Sequence, residues 1–497
     1  MAIRANESLK HAFAGSARYR AFLAGPGSEV HEEADAFPSG FPYTERHIKC
    51  AWHDSALRPS GLKTHLGEDV EVEHPGRWNL EAGPDFLDAV LRIGPERRRV
   101  AGDVEIHIRP ADWRQHGHSG DLRYRRVVAH VTFFPGALPA NVLPPGAVQV
   151  ELKSALSANP RFSFEAIDLA AYPYCIPAEQ TPCSRLLHAW PPESVQELLE
   201  SAGQERLRLK AERLRLAVSV RGPDQALYEE VLCALGFKQN RLPFRRLASF
   251  VPVEVLREES GLDHDEAYAL LAGVAGLLPA KIPERWDEET RAWVRRLWSL
   301  WWKRQSKWAP LVMAASEWRL SNLRPVNHPL RRMMAAVWLF CSAAPMLKAI
   351  DCAVVDSDEN WERLLRMLEV NPKPPAYWNL HLALGGRRQP CSALVGERRA
   401  AAILSNVILP FLAATGRLDV VRANLLRHIP AEEDNSLVRE TALHLLGPDH
   451  NPSVYRTGLR QQGLLQIFHD FCLNNRAGCG ACPMLKALEE SKADSER

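Results

Sequence analysis

Long apolar runs are missing from this sequence. No stretch approaches the roughly 18 apolar residues that a membrane-spanning helix needs, so we expect no membrane partner. The first thirty residues carry scattered Arg and Lys but lack the apolar core of a secretory signal. From these two absences we expect a cytoplasmic protein.

An excess of charge of either sign is also missing. Lys and Arg total 62 against 60 Asp and Glu, which gives a formal net charge of +2 over 497 residues. So small a net charge does not attract nucleic acid to the protein as a whole. A nucleic-acid partner would have to be bound by a local patch of positive charge. The hydrophobic fraction of 46% is ordinary for a globular protein. At about 150 residues per domain, the length predicts two to four domains.

Clustered cysteines are few. Seven of the ten cysteines stand singly in apolar or loop contexts, and disulfides are rare in a cytosolic setting. Only Cys472, Cys479 and Cys482 lie close together in the sequence. Their Cys-X6-Cys-X2-Cys spacing lets several thiolates reach one metal, so we expect zinc or an iron–sulfur cluster with a structural role. The alternative is three reduced cysteines without a metal.

A fourth ligand for these cysteines stays open. His469, three residues before Cys472 on the same predicted helix face, would complete a Cys3His zinc site. The spacing also resembles the first three ligands of the iron–sulfur loop in helix-hairpin-helix DNA glycosylases, although Leu488 stands where their fourth Cys would be. A cysteine from elsewhere would give four thiolates, and three are available: Cys175, Cys183 and Cys391.

Patterning divides the chain into five parts. Residues 1–40 predict a flexible extension or short amphipathic arm, 41–160 mix helix and strand, and 161–192 form a Pro-rich connection. Residues 193–465 show helical spacing, and 466–497 form a Cys-rich end. We therefore expect an α/β (α+β) domain followed by a large, mainly α-helical region.

The mixed part has a readable order of elements. Thr44 is a candidate N-cap for a helix, and the stretch 110–124 predicts a short helix or long loop. Five β-rich runs predict strands: 70–72, 86–93, 100–108, 127–134 and 148–152.

One predicted strand carries the clearest functional signal. In GDVEIH, alternation places Asp103, Glu105 and His107 on one face, and Val104 and Ile106 on the other. Two carboxylates beside an imidazole are costly unless a cation neutralises them. The alternative is an exposed polar strand face.

Asp85 opens the preceding predicted strand and adds a carboxylate at the same end of the sheet. Together Asp85 and Glu105 offer the oxygen ligands that Mg²⁺ or Mn²⁺ takes beside substrate phosphates. His107 would orient the attacking water or contact the phosphate, and its ordinary pKa of about 6.5 would let it titrate near neutral pH. Asp85 capping an ordinary turn is the alternative. Further candidates for lining the site are Asp103, His74, His116, His118 and His130.

Pro84–Asp85 and Glu105-Ile106-His107 resemble the site motif of the PD-(D/E)XK restriction-endonuclease-like superfamily, whose core has the same order of elements. The resemblance implies a metal-dependent nuclease, in some cases with a Cys-bound iron–sulfur cluster. His107 stands where that motif has Lys. The helix that would supply a further acidic residue offers Glu45 or Asp54.

A second resemblance covers most of the chain. The segments GPDF, GDVEIH, HGH, GFKQNRLPFRRLA, LAGVAGLL and WRLSNLRPVNHPLRR, with the C-terminal cysteines, are similar to an uncharacterised bacterial family with a domain of unknown function, number 2851. This resemblance implies a nuclease-like N-terminal domain and a helical remainder. It implies no established activity.

A basic, aromatic stretch in the helical region is a candidate nucleic-acid surface. Lys and Arg neutralise phosphates, and Trp rings stack on unpaired bases. Trp at helical spacing is equally typical of a core whose charged residues face solvent. The candidate contact residues are Arg295, Arg296, Lys303, Arg304, Arg331 and Arg332.

Two functions follow from these patterns. The first is a metal-dependent nuclease that hydrolyses phosphodiesters of DNA or RNA. The second is a non-catalytic nucleic-acid-binding or scaffolding protein that retains the nuclease-like fold. We expect the position of His107 to discriminate between the two functions. If His107 lies within hydrogen-bond distance of Asp85 and Glu105 at an open cleft, the enzyme is favoured. If His107 is buried against the apolar core, the binding protein is favoured.

Overall fold

The computed structural model describes residues 12–24, 41, 43–80, 83–139, 141–159, 162–174, 181–237, 239–321, 323–354, 360–373, 376–390, 393–418, 421–431, 436–473 and 479–495. The chain forms two compact units. The sheet unit comprises Arg20–Val195, Asn435–Pro452 and Leu464–Arg497. The helical unit comprises Met1–Tyr19, Gln196–Asp434 and Ser453–Gly463.

The strands of the sheet unit form one seven-stranded sheet. They are β1 (Leu62–Thr64), β2 (Asp69–His74), β3 (Arg77–Trp78), β4 (Phe86–Ile93), β5 (Arg98–His107), β6 (Val127–Thr132) and β7 (Val148–Glu151). Their order is β2-β1-β7-β6-β5-β4-β3, and β2 also pairs with β4. That pairing closes six strands into a barrel-like ring. Within it, β5 runs antiparallel to β4 and parallel to β6.

The helices of both units follow in chain order. They are α1 (Ser16–Ala24), α2 (Glu45–His53), α3 (Asp112–Gln115), α4 (Lys153–Ser157), α5 (Pro182–His188), α6 (Pro192–Arg221), α7 (Pro223–Leu235), α8 (Arg241–Phe250), α9 (Val253–Ser260), α10 (His264–Val274), α11 (Glu288–Trp302), α12 (Gln305–Trp308), α13 (Pro329–Phe340), α14 (Met346–Ala353), α15 (Asn360–Leu368), α16 (Tyr377–Leu380), α17 (Glu397–Ile403), α18 (Leu409–Ala414), α19 (Ser436–Leu446), α20 (Gly458–Ile467) and α21 (Pro483–Ser495). None of the helices described is both long and apolar enough to cross a membrane.

The core of the sheet unit follows from alternation along its strands. Val104 and Ile106 of β5 pack with Ala129 and Val131 of β6, and all four are fully buried. Trp52 of α2 joins this core and donates its indole N–H to the carbonyl of Pro75, so that its one polar atom is satisfied. The opposite side of β5 is thereby left for its polar residues.

The predicted elements of the mixed part are confirmed. All five predicted strands are present, with ends that differ by a few residues. Thr44 precedes α2, and its backbone N–H donates to His47 Nδ1 at 3.1 Å. The stretch 110–124 contains α3 and short 3₁₀ turns. Alternation did not predict β1 and β3 because they have only three and two residues.

The helical unit confirms the predicted helical region. Its core draws Leu227 and Tyr228 from α7, Leu271 from α10 and Met333 from α13. Phe13 also lies in this core, fully buried. The flexible extension predicted for residues 1–40 is therefore wrong at residues 12–24, while residues 1–11 and 25–40 lie outside the described part.

The Cys-rich end and the Pro-rich connection both belong to the sheet unit rather than standing apart. Arg46 of α2 anchors the connection, because its guanidinium donates to the carbonyls of Leu169, Tyr172 and Pro173. The same guanidinium donates to the carbonyl of Leu473 at 3.1 Å. One buried cation thus binds both the Pro-rich connection and the Cys-rich end to α2.

Gly102 allows β6 to begin close to β5. A Cβ at this position would lie 2.4 Å from Val128 Cγ1 and 2.6 Å from the carbonyl oxygen of Arg126. We predict that Gly102→Ala lowers the free energy of unfolding by about 1–3 kcal/mol, the usual cost of overpacking. Denaturant unfolding measures this, with Gly120→Ala as control because nothing lies within 4 Å of its Cβ. Equal stability of the two variants would contradict the tight approach.

Candidate metal centre

Asp85 and Glu105 are joined across β4 and β5 by backbone hydrogen bonds. The Asp85 N–H donates to Glu105 Oε2 at 2.9 Å, and the Ile106 N–H donates to Asp85 Oδ2 at 2.9 Å. Lys49 of α2 places its Nζ 2.9 Å from Asp85 Oδ1. Both carboxylates are buried, Asp85 being 1% and Glu105 5% exposed. These contacts fix Glu105 with one oxygen, Oε1, turned toward the histidines.

Three histidine nitrogens converge beside this pair, close to one oxygen of Glu105. Glu105 Oε1 lies 3.6 Å from His107 Nε2 and 3.3 Å from His118 Nε2. His107 Nε2 lies 3.1 Å from His116 Nδ1, and the ligand atoms of the three histidines are all within 4.8 Å of one another. Ligand atoms about 2.1 Å from a shared ion stand about 3.0–3.4 Å apart. The three histidine nitrogens are thus gathered closely enough to share one ion, and Glu105 Oε1 lies beside two of them.

His130 and Tyr124 hold the histidine rings in place. His107 Nδ1 lies 2.9 Å from Nε2 of His130, which sits on β6 opposite Glu105. When that Nδ1–H donates to His130, the lone pair of His107 Nε2 faces Glu105 and His116. Tyr124 stacks on the His118 ring with centroids 3.9 Å apart. The rings thus reach the cluster from a strand and a packed loop.

Burial favours the neutral imidazoles of His107, His118 and His130 by lowering their pKa values. It lowers the pKa of His107 far below its usual range, and the neighbouring histidines lower that pKa further. Burial also lowers the pKa of His118 to about 4 and that of His130 to about 3. In His107 this burial opposes the expected titration near neutral pH, and the neighbouring imidazoles add to the effect. Neutral rings offer the lone pairs that a metal requires.

A buried histidine nitrogen and a buried carboxyl group indicate that the cluster suits a cation. His118 Nε2 is buried and has no hydrogen-bond partner in the described part of the chain. Burial raises the pKa of Glu105 to about 8, although Lys49 opposes the increase. A bound cation would satisfy the imidazole nitrogen and favour the carboxylate form of Glu105. The residues present therefore fit a metal ion.

Two predicted lining residues take other roles. Asp103 Oδ1 accepts from the N–H of Asp88 at 3.1 Å, where β4 bulges and Asp88 has a φ of 58°. His74 Nδ1 accepts from the Gly76 N–H at the end of β2. Asp103 and His74 thus shape the backbone. The predicted residues that the structure does bring together are Asp85, Glu105, His107, His116, His118 and His130.

Lys49 is the site residue that sequence reasoning missed. It lies one turn after Glu45, whose Oε2 is 3.7 Å from its Nζ. The other candidate helix acid, Asp54, accepts from the Tyr172 hydroxyl instead. A lysine four residues after a glutamate suggests only a helix-surface pair. Its reach to Asp85 depends on how α2 packs against the sheet.

The basic stretch of the helical unit is largely neutralised by acidic neighbours. Arg295 pairs with Glu288 at 3.0 Å and Arg296 with Asp265 at 2.6 Å. Lys303 lies 3.8 Å from Glu266, a residue that also binds Arg304. These pairs are typical of a solvated helix face. Nucleic-acid contact by these four residues stays a prediction.

Arg331 and Arg332 are not surface residues, which corrects their expected role. They are 0% and 5% exposed. Arg331 donates to the carbonyl of Trp378 at 3.0 Å, and Arg332 donates to the carbonyl of Leu394 at 2.5 Å. Their guanidinium groups satisfy buried backbone oxygens and cannot reach a phosphate on the surface.

These features define a two-unit protein with a closed mixed sheet, a His–Glu cluster on that sheet and a mainly helical second unit. The family model described as "Protein of unknown function (DUF2851)" matches residues 45–435, well over half of the chain. The chain belongs to this family. No curated protein and no solved structure matches it.

The cluster predicts metal binding that depends on His118. We expect His118→Ala to weaken Mn²⁺ binding by about 100-fold or more, because it removes a ligand rather than a supporting contact, whose loss costs 10–100-fold. Calorimetric titration of the metal-free chain measures this. His65→Ala, in the exposed turn after β1, is the matched control and should bind as wild type does. Unchanged Mn²⁺ affinity in His118→Ala would rule out His118 as a ligand.

Proposed function

We propose that this protein is a metal-dependent hydrolase of nucleic-acid phosphodiesters. The observation that carries the proposal is the convergence of nitrogens from His107, His116 and His118. Glu105 Oε1 lies 3.6 Å from His107 Nε2 and 3.3 Å from His118 Nε2. A bound metal would activate water and neutralise charge on a phosphoryl oxygen. His116 is exposed, so the cluster opens to solvent on its side.

The donor set favours Mn²⁺ or Fe²⁺. Three imidazole nitrogens and one carboxylate suit divalent transition-metal ions better than Mg²⁺, which prefers oxygen ligands. Zn²⁺ is usually four-coordinate, so four protein ligands would leave it no position for water. An octahedral ion would keep two positions, one for water and one for a substrate oxygen. Of the cations expected from sequence, Mn²⁺ therefore fits better than Mg²⁺.

Lys49 would supply positive charge beside the metal. Its ammonium is held by Asp85 and lies close enough to Glu105 and His118 to influence their pKa values. A cation there attracts a phosphate oxygen and stabilises charge that develops on it. Asp85 acts as a positioning residue, because its oxygens are engaged by Lys49 and the Ile106 N–H.

The surroundings of the cluster favour a polyanionic substrate. Arg114 and Arg125 are exposed on the segment that carries His116 and His118, where Arg123 pairs with Asp121. Exposed arginines neutralise backbone phosphates without reading sequence. DNA and RNA both present such a backbone, and the assay below distinguishes them.

The resemblance to PD-(D/E)XK nucleases adds support. Asp85 at the start of β4 and Glu105 on β5 stand where that motif has its two acids. Lys49 brings an ammonium to this pair from α2, although His107 replaces the motif lysine on the strand. We therefore propose a nuclease-like site in which the lysine comes from α2 and histidines add further metal ligands.

Glu105→Gln should remove the activity. We predict that Mn²⁺-dependent cleavage of single-stranded DNA or RNA falls by about 100-fold or more, because the variant lacks the charged ligand. Gel assays with fluorescent oligonucleotides measure the rate. The matched control is Glu73→Gln, on the exposed face of β2 in a pair with Arg92, and it should retain full activity.

Two outcomes would contradict the proposal. One is metal-dependent cleavage by Glu105→Gln at the wild-type rate. The other is tight oligonucleotide binding by the metal-loaded wild type without cleavage of either substrate, which would favour the non-catalytic binding protein.

A further inference from the structure

Four cysteines from two distant parts of the chain meet in the sheet unit. Cys183 lies in the first turn of α5. Cys472 ends a π-helical turn after α20, Cys479 begins the 3₁₀ turn Cys479–Ala481, and Cys482 precedes α21. Helix α5 packs against that 3₁₀ turn, against α21 and against α19. The fold thereby carries Cys183 to the C-terminal cysteines.

The thiols lie within electrostatic range of one another. Burial raises the pKa of the Cys472 thiol to about 12, and Cys183, Cys482 and Cys479 each raise it further. Burial likewise raises the pKa of Cys183, with contributions from Cys479 and Cys482. Repulsion between thiolates is strong only over short distances. Together with the packing of α5 on the C-terminal 3₁₀ turn and on α21, this places the four thiols in one neighbourhood.

The described sulfurs do not form the compact group that a zinc site needs. Four thiolates at about 2.3 Å from one Zn²⁺ stand about 3.8 Å apart. Among the cysteines that the structure describes, no three sulfurs lie within 4.8 Å of one another. A polynuclear cluster holds its thiolates farther apart, because each sulfur binds a different iron.

We propose that Cys183, Cys472, Cys479 and Cys482 together bind an iron–sulfur cluster. Cys183 supplies the fourth ligand that the C-terminal spacing lacks. Of the other thiols open from sequence, Cys175 and Cys391 lie outside the described residues. Thr181 Oγ1, 3.0 Å from Cys183 Sγ, contacts the sulfur and so tunes the site.

The cluster would join the Pro-rich connection to the end of the chain. Cross-linking segments so far apart in sequence removes much loop entropy from the unfolded chain. Because the ligand set forms only on folding, binding also contributes to folding stability. The site lies apart from the ligands of the proposed hydrolase and stands independently of that activity.

The test is the metal and sulfide content of the full chain purified without oxygen. We expect about four iron and four acid-labile sulfide per chain, with a visible absorption band that dithionite bleaches. Acid-labile sulfide separates a cluster from iron bound at the His–Glu centre. Cys183→Ser should lose the sulfide and melt at a lower temperature, whereas Cys352→Ser, an exposed cysteine in the helical unit, should match wild type.

Three results would overturn the proposal. They are stoichiometric zinc without sulfide in wild type, no metal even after reconstitution with iron and sulfide, and wild-type sulfide content in Cys183→Ser. Should that variant not fold, Mössbauer spectra of iron-57-enriched wild type decide the question. Tetrahedral sulfur-ligated iron is expected, and only nitrogen- and oxygen-ligated iron would refute the cluster.

Discussion

The Asp85 backbone and the Glu105 carboxylate hold one another across β4 and β5, and most of the site is arranged around this contact. The Asp85 N–H fixes one oxygen of Glu105, while the Ile106 N–H and Lys49 fix the carboxylate of Asp85. Three elements are thus tied together by short, buried, charge-assisted bonds, which are stronger than neutral ones. With Oε2 engaged, Oε1 of Glu105 is left to face the histidines.

Without a bound cation, a charged Glu105 carboxylate is energetically unfavourable at this buried position. Burial raises the pKa of Glu105 to about 8 and so favours its uncharged carboxyl, and Lys49 is the neighbour that opposes this shift. Burying a carboxylate is unfavourable unless opposite charge lies close by. A divalent ion among the three histidine nitrogens would supply that charge beside Glu105 and would engage the buried His118 nitrogen. Binding and local stability are therefore coupled at this site.

Short sequence patterns predicted the features that depend only on residues close together in the chain. Alternation in GDVEIH placed Glu105 and His107 away from Val104 and Ile106, and the structure keeps this division. Closure of the sheet through β2 and β4 joins strands that no short pattern connects. The contact of Lys49 with Asp85, and the position of Cys183 near the C-terminal cysteines, also depend on how helices pack. No short stretch of sequence predicts that packing. Arg331 was misassigned because charged residues at helical spacing usually face solvent, whereas this guanidinium serves buried carbonyls.

The central claim is that one metal ion is held by nitrogen as well as oxygen. Pulsed electron paramagnetic resonance of the full chain loaded with one equivalent of Mn²⁺ tests it directly, because imidazole nitrogens couple to the electron spin. In the wild-type chain we expect strong nitrogen couplings, which weaken in His107→Ala and persist in His65→Ala. A spectrum of Mn²⁺ with couplings from water protons alone would contradict it.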